Sequence, residues 1–305
     1  CEKELGRIFD ICHGCRRCVS LCNAFPTLFD LIDAAGDAET AGVPKEKFWK
    51  VVDQCYLCDV CYMTKCPYVP PHAWNLDFPH TMLRAKAIQY KTGKMKFRDK
   101  LLTSTELVGT LSSIRVVVHF VNAATKNGPA RAVLQQVLGV QKERELPEFD
   151  AANFRAHATP SHNHPVKDGA RSPGKVAVFS TCYVNYNEPG IGHDLLKLLA
   201  HNEIPYVLVQ GETCCGMPKL ELGDLQTVEK YKERNIPLMH DLAQAGYAIV
   251  TPVPSCTLMF KSEIPLLFPE DPRCKTVSEA MYDPFEYFVL RNKDGLLKTD
   301  FKVPL

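Results

Sequence analysis

The chain has 305 residues, of which 46% are hydrophobic and 23% charged, the composition of an ordinary globular protein with room for two domains. Its formal net charge of +1 gives no electrostatic reason to expect a nucleic acid or an anionic membrane as partner. No stretch approaches the roughly 18 apolar residues that a membrane-spanning helix needs, and no basic-then-apolar leader opens the chain. We therefore expect a cytoplasmic protein.

Fourteen cysteines stand out in this composition. Eight of them fall in two short runs, CHGCRRCVSLC over Cys12–Cys22 and CYLCDVCYMTKC over Cys55–Cys66, in which most neighbouring cysteines are separated by two residues. In a chain of this length without an export leader, thiols kept reduced for metal are a better explanation than disulfides. Cys1 and Cys274 belong to no such pattern, and we expect them to be structural.

The residues around these runs predict a helical N-terminal domain over 1–146. Between the runs, apolar side chains recur at helical spacing, and Pro44 suits the first turn of a helix. Amphipathic helices are also predicted over 76–100 and 101–140. The part from Arg84 to Lys100 is rich in lysine and arginine, which indicates a solvated helix face or, as an alternative, a docking face for an acidic redox partner.

Residues 147–174 are rich in proline, histidine, asparagine and glycine and show no period, so we predict an extended surface linker there. From residue 175 on, short β-prone runs alternate with helical stretches, the pattern of a parallel sheet with helices on its faces. The predicted strands are 175–180, 205–209 and 248–253, and the predicted helices are 190–200 and 224–245, the latter interrupted at Pro237. The predicted fold class is therefore α+β followed by α/β.

Four of the remaining cysteines follow the predicted strands: Cys182 after the first, Cys214 and Cys215 after the second, and Cys256 after the third. Functional groups of parallel sheets collect beyond the carboxyl ends of the strands, so we expect these four to converge. Adjacent cysteines can converge only through a turn, for which Gly216 supplies the backbone freedom. Four thiolates are enough for a [4Fe–4S] cluster or a tetrahedral zinc ion, and buried thiols without metal are the alternative.

The two N-terminal runs predict a pair of iron–sulfur clusters. Cysteines at three-residue intervals can wrap the corner of a cubane cluster, and in two-cluster ferredoxins the fourth cysteine of each run ligates the cluster of the other run. The crossed pattern predicts two [4Fe–4S] clusters, one held by Cys12, Cys15, Cys18 and Cys66 and the other by Cys55, Cys58, Cys61 and Cys22. Zinc knuckles are the alternative, although zinc sites usually pair C-x2-C with a distant pair.

Two features depart from the bacterial ferredoxin pattern. Asn23 stands where that pattern has proline, and four residues rather than three precede Cys66. Neither departure removes a ligand, but the longer gap leaves a [3Fe–4S] centre or an altered register open. Arg16 and Arg17 lie inside the first loop, and their positive charge predicts a raised reduction potential for the first cluster.

The C-terminal spacing, C-x31-CCG followed by PSC, resembles the cysteine-rich CCG domain of heterodisulfide reductase. That domain ends in C-x2-C, whereas Met259 stands at the last position here. Two ferredoxin-like runs before a CCG domain resemble the related iron–sulfur subunits, such as those of anaerobic glycerol-3-phosphate dehydrogenase and of glycolate and lactate oxidation. The stretches CHGCRRCVSLCNAFP, LDFPHTMLRAKA and STCYVNYNEP are most similar to a bacterial subgroup that accompanies rubrerythrin. The family normally carries two CCG domains, so we expect the CCG domain over 175–305 to be followed by a second one that is missing after 305.

The resemblance implies an electron-transfer subunit of a larger oxidoreductase. It would pass electrons through two [4Fe–4S] clusters to or from a metal site in the CCG domain, a third iron–sulfur cluster or zinc. Its partners would be a flavin dehydrogenase on one side and a quinone, a disulfide or a diiron protein of the rubrerythrin type on the other. We find no flavin or nucleotide fingerprint and no convincing catalytic residue in the sequence.

Two alternatives stand beside this interpretation: a thiol or disulfide reductase that works at the CCG metal site, and a docking scaffold in which zinc stabilises the CCG domain. The resemblance also implies a cytoplasmic protein that associates with the inner face of the membrane only through partners.

Overall fold

The computed structural model describes residues 1–36, 39–161 and 163–300. These residues group into two compact units. The first contains 1–100 and 218–225, and the second contains 101–217 and the residues from 226 on. Residues 101–146, which the sequence suggested to be part of the N-terminal domain, therefore group with the strands. The functional division into 1–146, a linker at 147–174 and 175–305 stays a prediction.

The described part of the first unit is built from helices joined by loops. Its helices are α1 (Glu2–Cys15), α2 (Ala24–Asp33), α3 (Lys45–Asp53), α4 (Phe78–Lys91) and the start of α5 (Phe97–Leu102), with a 3₁₀ turn at Thr40–Gly42 and a π turn at Cys61–Lys65. Asp77 caps α4, because its side chain accepts a hydrogen bond from the backbone N–H of His80 at 3.1 Å.

Four phenylalanines form the core of the first unit. The ring of Phe9 on α1 packs edge-on against that of Phe48 on α3, with centroids 5.0 Å apart. The ring of Phe25 on α2 lies 4.8 Å from that of Phe78 on α4. Because each buried aromatic side chain contributes about 1.5–3 kcal/mol, these rings hold the four helices together and so fix the loops between them.

The second unit continues with further helices and contains the strands. Its helices are α6 (Thr105–Ser112), α7 (Arg115–Lys126), α8 (Gly128–Leu138), α9 (Phe154–His157), α10 (Cys182–Tyr186), α11 (Pro189–His201), α13 (Leu225–Gln244), α14 (Pro254–Leu258), α15 (Ile264–Leu267), α16 (Pro272–Ala280) and α17 (Pro284–Lys293). Between them, α12 (Met217–Leu222) groups mostly with the first unit, and a π turn at Met259–Glu263 follows α14.

The strands of the described chain form one parallel sheet. They are β1 (Val176–Val178), β2 (Tyr206–Leu208), β3 (Ala248–Val250) and β4 (Met281–Tyr282), in the order β2-β1-β3-β4. Val176 of β1 pairs with Tyr206 on one side and Ala248 on the other. Every residue of β1 and β3 is buried, as expected for a sheet covered on both faces.

The three predicted strands and the parallel arrangement are confirmed, and the sequence missed the short fourth strand. The predicted break at Pro237 is wrong, because α13 runs without interruption from Leu225 to Gln244. Proline inside a helix costs about 3 kcal/mol through its missing N–H and its ring. Val228 and Met239 are fully buried on either side of it, and their packing offsets that cost.

The predicted surface linker also has structure of its own. Residues Phe154–His157 form α9, and Phe154 is fully buried in the core around the sheet, where its ring lies 5.2 Å from that of His193. This part of the segment is therefore a packed element and not an extended surface chain.

Among the described residues, no single helix is long and apolar enough to cross a membrane. One pair, Thr105–Ser112 with Val116–Lys126, reaches that length and composition together, but the two helices meet at a bend of 110°.

Candidate metal centres

The first cysteine run begins on a helix and leaves it through a left-handed turn. Cys12 and Cys15 lie in the last turn of α1, and Arg16 ends the helix with φ of 52° while its N–H donates to the Cys12 carbonyl at 2.8 Å. The chain then folds back in tight turns, in which the N–H of Leu21 donates to the carbonyl of Cys18 at 3.0 Å. This reversal directs the later cysteines of the run toward the end of α1.

The second run is a loop followed by a π turn. Leu57 and Asp59 both have positive φ, of 50° and 56°, so the loop bends twice between successive cysteines. Over Cys61–Lys65 the chain makes a π turn, closed by a hydrogen bond of 2.9 Å from the N–H of Cys66 to the carbonyl of Cys61. This five-residue step accounts for the four residues between these two cysteines, because the π turn takes up the extra residue.

Cys66 lies with the first run. Together with Cys12, Cys15 and Cys18 it lines one small cavity, and we call these four residues the first set. Burial raises the pKa of Cys12, and the neighbouring thiols of the other three raise it further. Burial and then Cys66 raise the pKa of Cys18 to about 11.

Cys22 lies with the second run. Burial raises the pKa of Cys55 to about 11, and the thiols of Cys22 and Cys58 add to the increase. Burial also raises the pKa of Cys61, followed by the effects of Cys55, of Cys18 from the first run, and of Cys58. Cys22, Cys55, Cys58 and Cys61 form the second set. Cys66 thus lies with the first run, and Cys22 lies near Cys55 as well as near Cys18. These positions are compatible with the crossed pattern, and ligation of two clusters by these residues stays a prediction.

A buried lysine lies beside the second set. Lys86, on α4, is 8% exposed, and its ammonium donates to the carbonyl of Cys55. Burial lowers the pKa of Lys86, and the lysine in turn lowers the pKa of Cys55. Glu221, whose pKa is raised by burial, lies near the same ammonium. The sequence placed Lys86 in a basic, solvated helix face; at this position that interpretation is wrong.

The two arginines of the first loop, Arg16 and Arg17, have different surroundings. The Arg16 guanidinium pairs with the carboxylate of Asp33, so most of its charge is already balanced. Arg17 lines the cavity of the first set. Tyr68 lies there too, and the negative charge of the Cys15 sulfur, to which its phenol also hydrogen-bonds, raises the pKa of Tyr68. Arg17 from the first loop and Tyr68 from the chain after Cys66 are therefore better placed than Arg16 to raise the potential of a cluster in the first set.

The third set consists of Cys182, Cys214, Cys215 and Cys256, and it lies beyond the carboxyl ends of three adjacent strands. Cys182 begins α10 directly after β1, the pair of cysteines follows β2, and Cys256 lies on α14 after β3. Gly216 has φ of +101°, a conformation that other residues rarely adopt. The predicted convergence of these four residues is what the structure shows.

The sulfur atoms of the third set are close together and mostly buried. The Sγ atoms of Cys215 and Cys256 are 3.0 Å apart, and the backbone N–H of Gly216 points at Sγ of Cys214 at 3.5 Å. The hydroxyl of Thr105 lies 3.5 Å from Sγ of both Cys182 and Cys214. Three of the four cysteines are less than 5% exposed.

The pKa of each of the four thiols of the third set lies above its ordinary value, which favours the protonated forms when no metal is bound. The thiol of Cys182 hydrogen-bonds that of Cys214, which raises the pKa of Cys182, and burial adds to the increase. The hydrogen bond from Cys182 lowers the pKa of Cys214, but Cys215 and burial outweigh it and leave the pKa at about 12. Four converging sulfur donors in a buried site fit a thiophilic metal centre, whose binding would displace these protons.

A buried asparagine holds the loop of the third set. Asn235, on α13, is fully buried. Its Oδ1 accepts from the N–H of Thr213 at 2.9 Å, and its Nδ2 donates to the carbonyls of Cys214 at 3.0 Å and of Thr213 at 3.4 Å. One side chain thus satisfies backbone groups that would otherwise be buried without partners.

A buried ion pair lies behind the third set. Glu212 is almost completely buried, accepts from the backbone N–H of Ser180 at 2.9 Å and pairs with Arg155 of α9 at 2.8 Å. Burial raises the pKa of Glu212 to about 7, although Arg155 opposes the change. Arg155 lies in the segment that the sequence analysis interpreted as a linker, and no motif singled it out.

Met259 occupies the position at which the related domains have their final cysteine. Its side chain is fully buried, and its Cε lies 3.4 Å from the place where a Cβ on Gly216 would be. The thioether therefore packs against the turn that carries Cys214 and Cys215.

Comparison with known proteins bears on the third set. Residues 176–261 match the CCG family model, described as a cysteine-rich domain, and this range contains all four cysteines of the set. This segment is a CCG cysteine-rich domain. No solved structure matches the chain.

Three curated relatives show how far the similarity extends. The chain is 29% identical over 183 residues to a subunit of the anaerobic glycerol-3-phosphate dehydrogenase of Escherichia coli (strain K12). The aligned residues cover 60% of this chain and 44% of that protein. It is 29% identical over 119 residues to lactate utilization protein A of Bacillus subtilis (strain 168), 38% of this chain and 48% of that protein. It is 30% identical over 102 residues to a subunit of the fumarate reductase (CoM/CoB) of Methanothermobacter marburgensis, 33% of this chain and 20% of that protein.

The predicted resemblance to these redox proteins is thereby confirmed. The chain spans less than half the length of each of the three relatives. The finer assignment to the subgroup that accompanies rubrerythrin stays a prediction.

Proposed function

We propose that the chain is an electron-transfer subunit in which the first and second sets each hold a [4Fe–4S] cluster. The grouping of Cys66 with the first run and of Cys22 with the second is the observation that carries this proposal. Two separate zinc knuckles would not require each run to lend one cysteine to the other, whereas two-cluster ferredoxins do so.

The chain itself supplies the ligands and the environment of these centres. Iron–sulfur clusters take up and release one electron at a time when bound. The buried thiols of Cys12 and Cys55 would keep water away from part of each cluster. The O–H of the neutral Tyr68 phenol would donate a hydrogen bond to a sulfur ligand, and the Lys86 ammonium would place positive charge near the other set; both would favour the reduced state.

The third set extends the proposal to a metal in the CCG domain, held by Cys182, Cys214, Cys215 and Cys256. A [4Fe–4S] cluster would make this site a further electron carrier, and zinc would make it structural. We propose that electrons pass between this site and the two clusters, with a flavin dehydrogenase on one side and a quinone or a diiron protein on the other. Because we assign no flavin site to this chain, a flavin would belong to a partner at the inner face of the membrane.

Metal analysis of anaerobically purified and reconstituted protein tests the proposal. We expect about eight irons with matching sulfide from two clusters, and the reduced protein should give an electron paramagnetic resonance (EPR) spectrum of two interacting centres. About twelve irons would assign a cluster to the third set, and eight irons with one zinc would assign zinc there. Iron at background after reconstitution would overturn the proposal.

Single substitutions test the crossed ligation. Cys66→Ser should alter the EPR signal of the first cluster and Cys22→Ser that of the second. Cys274→Ser is the control, because Cys274 is a cysteine that lies in none of the three sets. If Cys66→Ser disturbs only the same cluster as Cys58→Ser, the two runs are not crossed.

One observation favours a second function, reduction of a disulfide or thiol substrate at the third set. The 3.0 Å between the Sγ atoms of Cys215 and Cys256 brings two thiols almost into bonding range. Met259, in place of a fifth thiol, argues against it. A substrate-dependent change in the absorption spectrum of the CCG metal would favour this function over electron transfer alone.

A further inference from the structure

Thr105, at the start of α6, is the side chain outside the cysteine motifs that reaches the sulfur atoms of the third set. Its Oγ1 lies 3.5 Å from Sγ of Cys182 and 3.5 Å from Sγ of Cys214. These cysteines are 77 and 109 residues away along the chain. The hydroxyl therefore bridges two thiols that follow different strands of the sheet.

Packing against α10 holds Thr105 in this place. A methyl group added at Gly109 of α6 would overlap the ring of Tyr186 on α10, so the two helices lie in close contact. The Tyr186 hydroxyl donates to Glu106 at 3.0 Å and is 2.9 Å from the Thr110 hydroxyl. Because Cys182 begins α10, these contacts hold Thr105 and Cys182 in a fixed relation.

The direction of the hydrogen bonds depends on the state of the thiols. In the protonated site, the one proton of the Cys182 thiol can go to the Thr105 hydroxyl or to the sulfur of Cys214, and the hydroxyl can donate or accept. A thiolate has no proton to donate, so beside two metal-bound thiolates the hydroxyl can act only as a donor. A hydrogen bond to a charged acceptor is stronger than one between neutral groups.

We propose that Thr105 is a positioning residue of the CCG metal site, whose hydroxyl donates a hydrogen bond to the thiolate ligands Cys182 and Cys214. This inference rests on the proposed metal at the third set. The hydrogen bond stabilises the thiolates against protonation, which slows loss of the metal. It also withdraws negative charge from sulfur, which raises the reduction potential of an iron–sulfur cluster. Threonine at this position thus belongs to the metal site, although α6 lies outside the CCG match.

Release of the CCG metal to a chelator tests this inference in the anaerobically purified full chain. Thr105→Val keeps the shape of the side chain and removes the hydroxyl. We expect metal release about three- to tenfold faster, the range that the net contribution of one hydrogen bond predicts. Thr105→Ser should restore the rate to within about twofold of the unmodified protein. Thr125→Val is the matched control, because this helical threonine donates to the carbonyl of Asn122 and takes no part in holding Thr105, and we expect no change.

A spectroscopic readout separates this role from a merely structural one. In Thr105→Val the sulfur-to-metal charge-transfer absorption should shift to lower energy, because the ligands become better electron donors, and it should not shift in Thr125→Val. If the valine variant does not fold, Thr105→Ala carries the same expectation. Release rates and spectra equal to those of the unmodified protein would overturn the inference.

The failure of the underlying proposal would look different. In that case the unmodified protein would hold no metal that Cys214→Ser removes, and Thr105 would have no site to position.

Discussion

Replacing Asn235 by alanine should loosen the loop of the third set more than any other part of the chain. Asn235 is fully buried and makes three hydrogen bonds to the backbone of Thr213 and Cys214. The alanine side chain can make none of them. Because Thr213 and Cys214 are themselves at most 9% exposed, water cannot easily replace the lost partners.

The magnitude follows from the two shorter bonds. Removing one partner of a buried hydrogen bond costs about 1–3 kcal/mol, since the other partner is left unsatisfied. The N–H of Thr213 and the carbonyl of Cys214 would both lose a partner, at 2.9 and 3.0 Å. We therefore expect a loss of about 2–6 kcal/mol in local stability. Asn235→Asp keeps the acceptor for Thr213 and loses the donor to Cys214, so its effect should lie between those of asparagine and alanine.

Hydrogen exchange followed by mass spectrometry of anaerobic protein measures this local stability. At about 1.4 kcal/mol for each factor of ten, the lower limit predicts amide exchange about 30-fold faster over residues 211–216. Asn202→Ala is the matched control: Asn202 also makes side-chain hydrogen bonds, to Leu198 and Lys298, but none to the cysteine loop. Exchange over 211–216 that changes by less than twofold in the alanine variant would refute the reasoning.

Three further substitutions are predicted from the same structure. Lys86→Met removes a buried ammonium beside the second set. It should lower the reduction potential of that cluster by roughly 40–90 mV in a potentiometric EPR titration, the equivalent of about 1–2 kcal/mol. Lys91→Met, on the exposed end of the same helix, should leave the potential unchanged. Tyr68→Phe removes a hydrogen bond to Cys15 and should lower the potential of the first cluster by roughly 20–60 mV, and an unchanged potential would mean that the phenol does not act on the cluster. Gly216→Ala should destabilise the protein by about 1–3 kcal/mol in anaerobic urea denaturation, because φ of +101° strains alanine; an unchanged midpoint would show that the turn relaxes.

The features that could be predicted from the sequence, the strands and the cysteines that follow them, are those that short-range patterns encode. The strands are predictable because β-prone runs alternate with stretches of helical periodicity. The convergence of the cysteines beyond them is predictable because residues that follow parallel strands meet at the same edge of the sheet. The crossed ligation by Cys22 and Cys66 was predicted from the pattern of two-cluster ferredoxins, and the place of Cys66 beside Cys12, Cys15 and Cys18 is compatible with it. In each case the information lies within one run of residues or in the order of a few elements.

The contacts that support the sites could not be predicted in this way. Lys86 reaches the carbonyl of Cys55 across 31 residues, and Thr105 reaches Cys182 across 77. Neither residue belongs to a motif, and the tertiary packing alone brings them to the cysteines. A weak signal existed for Asn235, a polar residue next to Ile236 and close to Met239 in an otherwise apolar stripe of α13, because a buried amide must find partners.

The π turn at Cys61–Lys65 accounts for the four-residue spacing before Cys66, which departs from the ferredoxin pattern. Four residues between Cys61 and Cys66 raised the possibility of a [3Fe–4S] centre, since a shifted last cysteine would miss its position. The hydrogen bond from the N–H of Cys66 to the carbonyl of Cys61 closes a loop one residue longer than an α-helical turn, so the inserted residue is taken up locally. Cys66 still lines the same cavity as Cys12, Cys15 and Cys18. The spacing therefore supplies no reason to expect a cluster that lacks one iron, and the complete set of four sulfur donors supports a [4Fe–4S] centre.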